Sequence, residues 1–196
     1  MSVLIERIKK MSEATTKEKI ITLAQEAIAS RGYSAFSFRE LATELGIKSA
    51  SIHYHFPTKT HLGIEVACTY RDQLQQALDS IANTYANDPK KAIEGLIAVY
   101  RSEVRSSQRM TVCTMLAAEI KNLPVEIQAE MASFYKLNIG WLENQFQKLG
   151  YEKDTAQEKA CQFFALLQGG LMGAKGQNNP AYFDVVVGAT EQLLAK

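Results

Sequence analysis

The sequence has few of the features that mark secreted, metal-binding or membrane proteins. Its 196 residues include three cysteines, Cys68, Cys113 and Cys161, an odd number at wide spacing. This usage fits a reduced cytoplasmic protein better than a disulfide framework or a zinc site. No apolar run approaches the roughly 18 residues of a membrane-spanning helix. The N-terminus mixes charges with apolar residues and has no signal-peptide core. We therefore expect a cytoplasmic protein without a membrane partner.

The chain also lacks β-strand patterns. Alternation of apolar and polar residues never extends beyond four positions, whereas apolar residues recur at helical spacing through most of the sequence. Each of the four prolines, at positions 57, 89, 124 and 180, falls where one helical pattern gives way to the next. The sequence predicts an all-α protein of about nine helices.

Two short helical patterns joined at Gly46 follow a longer one over residues 16–31. Ser37 and Glu40 have the spacing of a capping box at the start of the first short helix. Ser49 can cap the second short helix. Two short helices joined in this way indicate a helix-turn-helix.

Charge is distributed unevenly between the two ends of the chain. Residues 1–62 carry nine Lys and Arg against six Asp and Glu, a net +3, and residues 63–196 carry 13 against 15, a net −2. No Asp or Glu lies between positions 47 and 64. A basic module next to a mildly acidic body is typical of a polyanion-binding domain fused to a second function. The charge distribution therefore predicts a polyanion-binding domain over residues 1–62 and a second domain over 63–196.

The second short helix has an outer face of small hydroxyl donors and amphipathic rings, which can approach base edges and phosphates closely. Its histidines could instead suggest a metal or catalytic site. His53 and His55 point about 200° apart on a helix, so they cannot share a metal. A catalytic role has no nucleophile or carboxylate nearby, and we expect neither metal nor cofactor. The remaining alternative is a solvated helix with no partner.

Residues 16–62, through FSFRELATELGI and SASIHYHFPTKTHL, resemble the DNA-binding domain of the TetR family of transcriptional regulators. His53 departs from the family pattern, which more often has tyrosine there. The resemblance implies nine helices, a homodimer through the last two, a palindromic double-stranded DNA operator and a ligand pocket in the C-terminal body. It places Ser49, Ala50 and Ser51 nearest the bases and His53, Tyr54 and Lys59 on phosphates. The full set of DNA-facing candidates is Ser37, Arg39, Lys48, Ser49, Ala50, Ser51, His53, Tyr54, His55 and Lys59.

The effector pocket is predicted from large apolar side chains in the body and a few polar groups among them. Such a stripe is more often ordinary core than a ligand site. The candidates are Met110, Met115, Phe134, Trp141, Phe164, Gln168 and Met172. Gly169, Gly170 and Gly173 lie within a helical pattern, so we expect them to allow close helix packing rather than to bind phosphate.

Cys113 and Lys175 form a second hypothesis about the effector. The segments RMTVCTMLAAEIKNLP and LLQGGLMGAKGQ resemble a TetR subgroup that includes the repressor of N-ethylmaleimide reductase. That resemblance implies that Cys113 reacts with electrophiles or oxidants and that Lys175 becomes its bonded partner. A nearby ammonium would lower the thiol pKa and favour the reactive thiolate. Alternatively, Cys113 is small core filler and Lys175 complements a helix dipole. We expect Cys68 and Cys161 in the core.

These observations predict a repressor that a small-molecule or electrophilic signal releases from its operator. One alternative is a regulator that responds to a hydrophobic ligand without cysteine chemistry. A small helical enzyme is a further alternative, but the sequence offers it no nucleophile with a base, no metal set and no cofactor loop.

Overall fold

The computed structural model describes residues 15–106 and 109–190, and within them every regular element is helical. The prediction of an all-α fold of about nine helices is confirmed for this part of the chain. A short 3-10 turn, Ile120–Asn122, follows α6. The α-helices are α1 Thr16–Arg31, α2 Phe38–Leu45, α3 Ser49–His55, α4 Lys59–Thr84, α5 Pro89–Ser106, α6 Val112–Ala118, α7 Val125–Lys148, α8 Lys153–Gly176 and α9 Pro180–Gly188.

Local chemistry at the helix ends accounts for the boundaries of the N-terminal helices. Thr15 and Glu18 form a capping box at α1, and Ser37 and Glu40 form the predicted one at α2. Gly46 ends α2 with a left-handed φ of 66°, a conformation that glycine adopts without steric cost. In α3 the N-cap is Lys48, which makes no side-chain cap bond, so the expectation that Ser49 caps this helix is wrong.

The helix-turn-helix packs on α1 through a small apolar core. Ile20, Ile28, Leu41, Ile52 and Phe56 are all buried there. Because these residues hold α2 and α3 against α1, the opposite side of α3 remains open to solvent. The described part of the predicted DNA-binding domain begins at residue 15, and residues 1–14 lie outside it.

Helix α4 connects the helix-turn-helix to the body. It has 26 residues, which corresponds to a length of about 39 Å. Thr58 caps it by accepting a hydrogen bond from the His61 amide. The predicted domain boundary at 62/63 falls within the first turn of α4, so this helix belongs to both parts.

The body is built on the antiparallel pair α7 and α8, with α9 packed against α8. Phe146, Phe163 and Phe183 are fully buried between these helices. A side chain at Gly173 would place its Cβ 2.2 Å from the Tyr182 ring. The expectation of close packing is therefore confirmed for this glycine, because only hydrogen fits between the two helices.

The structure places the three cysteines in different environments. Cys113 is buried, Cys68 is partly buried and Cys161 is exposed. The expectation that Cys161 lies in the core is wrong. Ala160 and Phe164 on the same helix are buried, whereas Cys161 is exposed to solvent. No helix among the described residues is long and apolar enough to cross a bilayer.

Candidate DNA-binding face and effector cavity

Helix α3 presents a face of exposed polar and aromatic side chains. Tyr54 is 85% exposed, and Lys48, Ala50 and His53 are also exposed. Ala50 and Tyr54 are four positions apart and therefore lie on one side of the helix. The His53 ring packs edge-on against Phe38, with 4.9 Å between ring centroids, which fixes it against α2. The remaining candidates on this helix, Ser49, Ser51 and His55, are partly exposed.

The candidates on α2 lie at its N-terminus. Arg39 is exposed. The Ser37 hydroxyl accepts a hydrogen bond from the Glu40 amide at 3.3 Å and donates one to the Glu40 carboxylate at 3.0 Å. Ser37 therefore serves as a helix cap, and only its remaining lone pair is left for DNA.

Lys59 has structural contacts that sequence reasoning missed. Its ammonium donates hydrogen bonds to the carbonyl oxygens of Phe36 at 2.7 Å and Ser34 at 3.2 Å. It also lies 4.8 Å from the centroid of the Tyr33 ring and 4.5 Å from that of Phe36. Burial lowers the pKa of Lys59, and the charges of Glu119 and Glu40 oppose that shift. One of its three N–H groups remains for a phosphate.

Among the described residues, no group of three or more His, Cys, Asp or Glu side chains is arranged to hold a metal ion. His61 lies at the start of α4, where its Nδ1 is 2.7 Å from the Thr58 hydroxyl. This histidine is therefore part of a helix cap.

The body contains a cavity of about 170 Å³ between α4, α5, α6, α7 and α8. Its walls combine aromatic and aliphatic side chains, among them Tyr70, Tyr100, Phe134 and Leu171, with Cys113 and the polar residues Gln73, Glu103 and Thr111. Burial raises the pKa of both tyrosines well above the ordinary value. Both phenols are therefore neutral at physiological pH, so they offer an apolar ring and a hydrogen-bonding hydroxyl.

A buried hydrogen-bond network holds Tyr100 in place. The Gln168 side-chain amide donates a hydrogen bond to the Tyr100 hydroxyl at 3.2 Å, and that hydroxyl donates one to the Asn138 side-chain oxygen Oδ1 at 3.3 Å. The Asn138 amide in turn donates to the Phe134 carbonyl at 2.8 Å. Gln168 was predicted as a polar group of the pocket, and the structure places it behind the Tyr100 wall.

The Cys113 thiol lies on the cavity wall, 3.1 Å from the Thr111 hydroxyl. Burial raises the pKa of Cys113, against the effect of hydrogen bonds from Thr111, Thr114 and Tyr70. The expectation that an ammonium lowers this pKa is wrong in direction, because loss of hydration outweighs the other effects.

Lys175 is held by α5. Its side chain is 1% exposed, and its ammonium lies 3.9 Å from a Glu103 carboxylate oxygen. It also donates a hydrogen bond to the Glu103 carbonyl at 3.1 Å. Burial lowers the pKa of Lys175, and Glu103 is the charge that opposes the shift. Glu103 itself lines the cavity, so Lys175 neutralises a carboxylate of the cavity wall.

The other pocket candidates are dispersed. Met110 lines a groove of about 760 Å³ between the helix-turn-helix and the body. Phe164 is buried against the rings of Phe134 and Tyr135. Met115 and Trp141 are partly buried and pack on the core. Met172 is 48% exposed, so its prediction as a pocket residue is wrong, since its side of α8 faces solvent in the chain described.

Sequence reasoning missed nine of the eleven residues that line the cavity, among them Tyr70, Tyr100 and Glu103. Helical spacing offered a signal for them. Tyr70, Leu74 and Ala77 recur at intervals of four and three on α4, and Tyr100 and Glu103 are three apart on α5. These intervals place them on common helix faces.

Comparison with known proteins agrees with this architecture. Residues 20–66 match the model of the bacterial regulatory proteins of the tetR family. Residues 89–189 match the C-terminal domain model of LmrA/YxaF-like transcriptional regulators. The HTH-type transcriptional regulator LmrA of Bacillus subtilis is 24% identical over 172 residues, which cover 83% of this chain and 87% of LmrA.

Solved structures show the same fold. A TetR transcriptional regulator from Legionella pneumophila is 33% identical, with a TM-score of 0.86 over 91% of this chain and 97% of that one. The reduced form of E. coli NemR is 16% identical, with a TM-score of 0.75 over 92% of this chain and 98% of NemR, which shows the fold alone. The body thus matches the LmrA/YxaF-like model, and the resemblance of its cysteine segment to the subgroup of the N-ethylmaleimide reductase repressor stays a prediction. The chain belongs to the TetR family of bacterial regulatory proteins and is a transcriptional regulator.

Proposed function

We propose that this regulator is a repressor that binds a palindromic operator as a homodimer and leaves it when a small molecule occupies the cavity. In this proposal residues 1–62 bind DNA, and residues 63–196 bind the effector and dimerise. The observation that supports DNA binding most strongly is the exposed, acid-free face of α3. A cytoplasmic location stays a prediction.

The chemistry of α3 supports docking in a major groove. Ser49, Ala50 and Ser51 are short, so the helix backbone can come close to base edges. Tyr54 and Lys48 are both exposed and can reach phosphates. With no carboxylate on the helix, nothing there repels the DNA backbone.

Exposed apolar side chains on the last two helices support a homodimer. Val185 on α9 is 75% exposed and Met172 on α8 is 48% exposed. Side chains of this kind are stabilised when a second copy of the chain covers them. A two-fold dimer would present two α3 helices to the two halves of a palindrome.

The cavity favours a small, neutral, largely apolar effector. Its aromatic walls match such a molecule, and the raised pKa of Cys113 disfavours thiolate chemistry. Among the effector hypotheses, binding without cysteine chemistry therefore has the better support. One observation still supports the hypothesis of an electrophilic effector, because Cys113 lines the cavity.

The experiment is to select duplexes from a random pool with the full-length chain and to measure their affinity by fluorescence anisotropy. Tyr54→Ala should weaken binding about tenfold or more, as expected when one good DNA contact of about 1–3 kcal/mol is lost. Tyr85→Ala is the matched control, because Tyr85 lies at the far end of α4. Equal affinity of wild type and Tyr54→Ala, or failure to select any duplex, would contradict the proposal.

A further inference from the structure

The cavity in the body is small for a ligand site. Its volume is about 170 Å³, whereas pockets that hold ligands usually have about 300–1,000 Å³. An apolar cavity of about 150 Å³ binds a molecule of the size of benzene. The cavity therefore has room for one aromatic ring with small substituents, and a larger effector has to extend beyond it.

A second space adjoins the cavity on the side of the helix-turn-helix. It is the groove of about 760 Å³ that Met110 lines, with α1 and α2 on one side and α4, α5 and the start of α6 on the other. The residues that line both spaces are Tyr70, Gln73, Glu103 and Thr111. Gln73 is exposed, so the shared rim is not closed by packed core at that residue. A molecule of two parts can therefore occupy both spaces.

The α1 side of the groove carries a hydrogen-bond donor that lacks an acceptor. Gln25 lines the groove, and its side-chain nitrogen Nε2 is buried without a hydrogen-bond partner among the described residues. A buried donor of this kind destabilises a fold. A ligand oxygen that accepts from Nε2 would remove a cost already present in the free protein. The hydroxyl-bearing side chains of Thr22 and Ser106 line the same groove.

The charges around the groove nearly balance. The acids and bases that line it are Glu26, Glu44, Glu103, Lys19 and Arg109. Arg109 lies 3.5 Å from Glu26, and Glu103 has Lys175 at 3.9 Å. A charged ligand group would compete with these pairs, whereas a neutral hydroxylated group can use the amide and hydroxyl side chains. The groove is therefore better suited to a neutral polar group.

We propose that the groove is a second part of the effector site and that the effector is an aromatic ring joined to a neutral, hydroxyl-rich group. The ring lies in the cavity. The hydroxylated group lies in the groove, where one of its oxygens accepts a hydrogen bond from Gln25. This inference rests on the proposed function, because it names the chemical class of the effector and adds a polar subsite to the cavity.

The test compares three probes that share one ring, by NMR titration of the full-length chain without DNA at pH 7.5. Phenol is the ring alone, phenyl β-D-glucopyranoside adds a neutral hydroxylated group, and phenyl phosphate adds a charged group. The glucoside should bind at least about threefold tighter than phenol, the gain expected from one hydrogen bond. Phenyl phosphate should bind no tighter than phenol, because the acids of the groove outnumber its bases. A glucoside no tighter than phenol, or a phosphate tighter than the glucoside, would overturn the inference.

Gln25→Ala tests where the hydroxylated group lies. This variant should bind the glucoside no tighter than phenol, and its affinity for phenol should equal that of wild type. Gln162→Ala is the matched control, because Gln162 is exposed on α8 and lines neither space. Since Nε2 of Gln25 has no partner to lose, Gln25→Ala should not lower Tm, which separates ligand binding from a structural role. A gain from the glucose group that persists in Gln25→Ala would overturn the inference.

Ala77→Leu tests where the ring lies. Ala77 lines the cavity, and three added carbon atoms should weaken both phenol and the glucoside about tenfold or more. If this variant does not fold, the wild-type spectra decide instead. Both probes should then shift the amide signals of Phe134 and Leu171, and only the glucoside should shift the side-chain amide signal of Gln25. A glucoside that shifts Gln25 without Phe134 or Leu171 would overturn the inference.

Failure of the inference can be distinguished from failure of the proposed function. Phenol that binds without any gain from the glucose group overturns the inference alone. A chain that binds no phenol has no effector site in this cavity, and both then fail. Because these titrations use no DNA, a chain that selects no duplex refutes DNA binding while the probes still decide the ligand site.

Discussion

Replacement of Lys59 by alanine separates a structural role from a DNA-binding role. Lys59→Ala removes hydrogen bonds to the carbonyls of Ser34 and Phe36 and leaves those oxygens without that donor. Hydrogen bonds from a charged donor contribute about 1.5–3 kcal/mol each, and partial exposure reduces this. Loss of the contacts with the Tyr33 and Phe36 rings adds about 0.5–1 kcal/mol. We therefore expect a loss of about 2–3 kcal/mol in the free energy of unfolding.

The assay is urea unfolding followed by circular dichroism, with the salt dependence of DNA affinity measured on the same protein. A loss of this size corresponds to a fall of about 5–10 °C in Tm. Lys48→Ala is the matched control, because Lys48 is exposed and makes no cap bond, and it should change stability by less than about 0.5 kcal/mol. An unchanged stability for Lys59→Ala would refute the structural role. If Lys59 also contacts a phosphate, the slope of log affinity against log salt concentration should be about one unit smaller in Lys59→Ala than in wild type. An unchanged slope would show that Lys59 makes no phosphate contact.

Three further predictions concern acid stability, thiol reactivity and capping. The hydrogen bond from Arg101 lowers the pKa of Asp184 from its ordinary value of 3.8. The Asp184 carboxylate therefore contributes its full stabilisation at pH values above 3.8. This contribution is lost as the pH falls through the lowered pKa. Asp184→Asn should therefore cost up to about 1 kcal/mol at pH 7, and unfolding at low pH should show no difference from wild type. Burial raises the pKa of Cys113, so its thiol should react slowly with an alkylating reagent. At pH 7.5, peptide mass mapping should show alkylation of Cys113 at least about tenfold slower in the folded chain than in urea. Equal rates would contradict the burial of Cys113. Ser37→Ala should cost about 1 kcal/mol through loss of the α2 cap, and thermal unfolding that matches wild type would contradict it.

The helix order and most helix ends could be predicted because they depend on nearby residues. The capping box joins Ser37 and Glu40, which are only three positions apart, and Gly46 and the prolines constrain the backbone at their own positions. Residues 110–121 do not form one continuous helix. The predicted helix is divided into α6 and a 3-10 turn at Glu119, whose φ of −97° and ψ of 7° leave the α-helical geometry.

The parts of the site that could not be predicted depend on contacts distant in sequence. Lys59 binds carbonyl groups 23 and 25 residues earlier in the chain, and Glu119 reaches back 85 residues to Ser34. The reactivity assigned to Cys113 depended on its surroundings, and burial reverses the expected direction of its pKa. The type and spacing of residues in the sequence could not show how deeply Cys113 is buried.

In the proposed complex, α3 enters the major groove at two related half-sites. Methylation protection tests it directly, because dimethyl sulfate modifies guanine N7, an atom exposed in the major groove. On the selected duplex, wild-type chain should protect guanines in two symmetric half-sites, and Tyr54→Ala should lose that protection at equal protein concentration. Binding that leaves every guanine N7 reactive would contradict docking of α3 in the major groove.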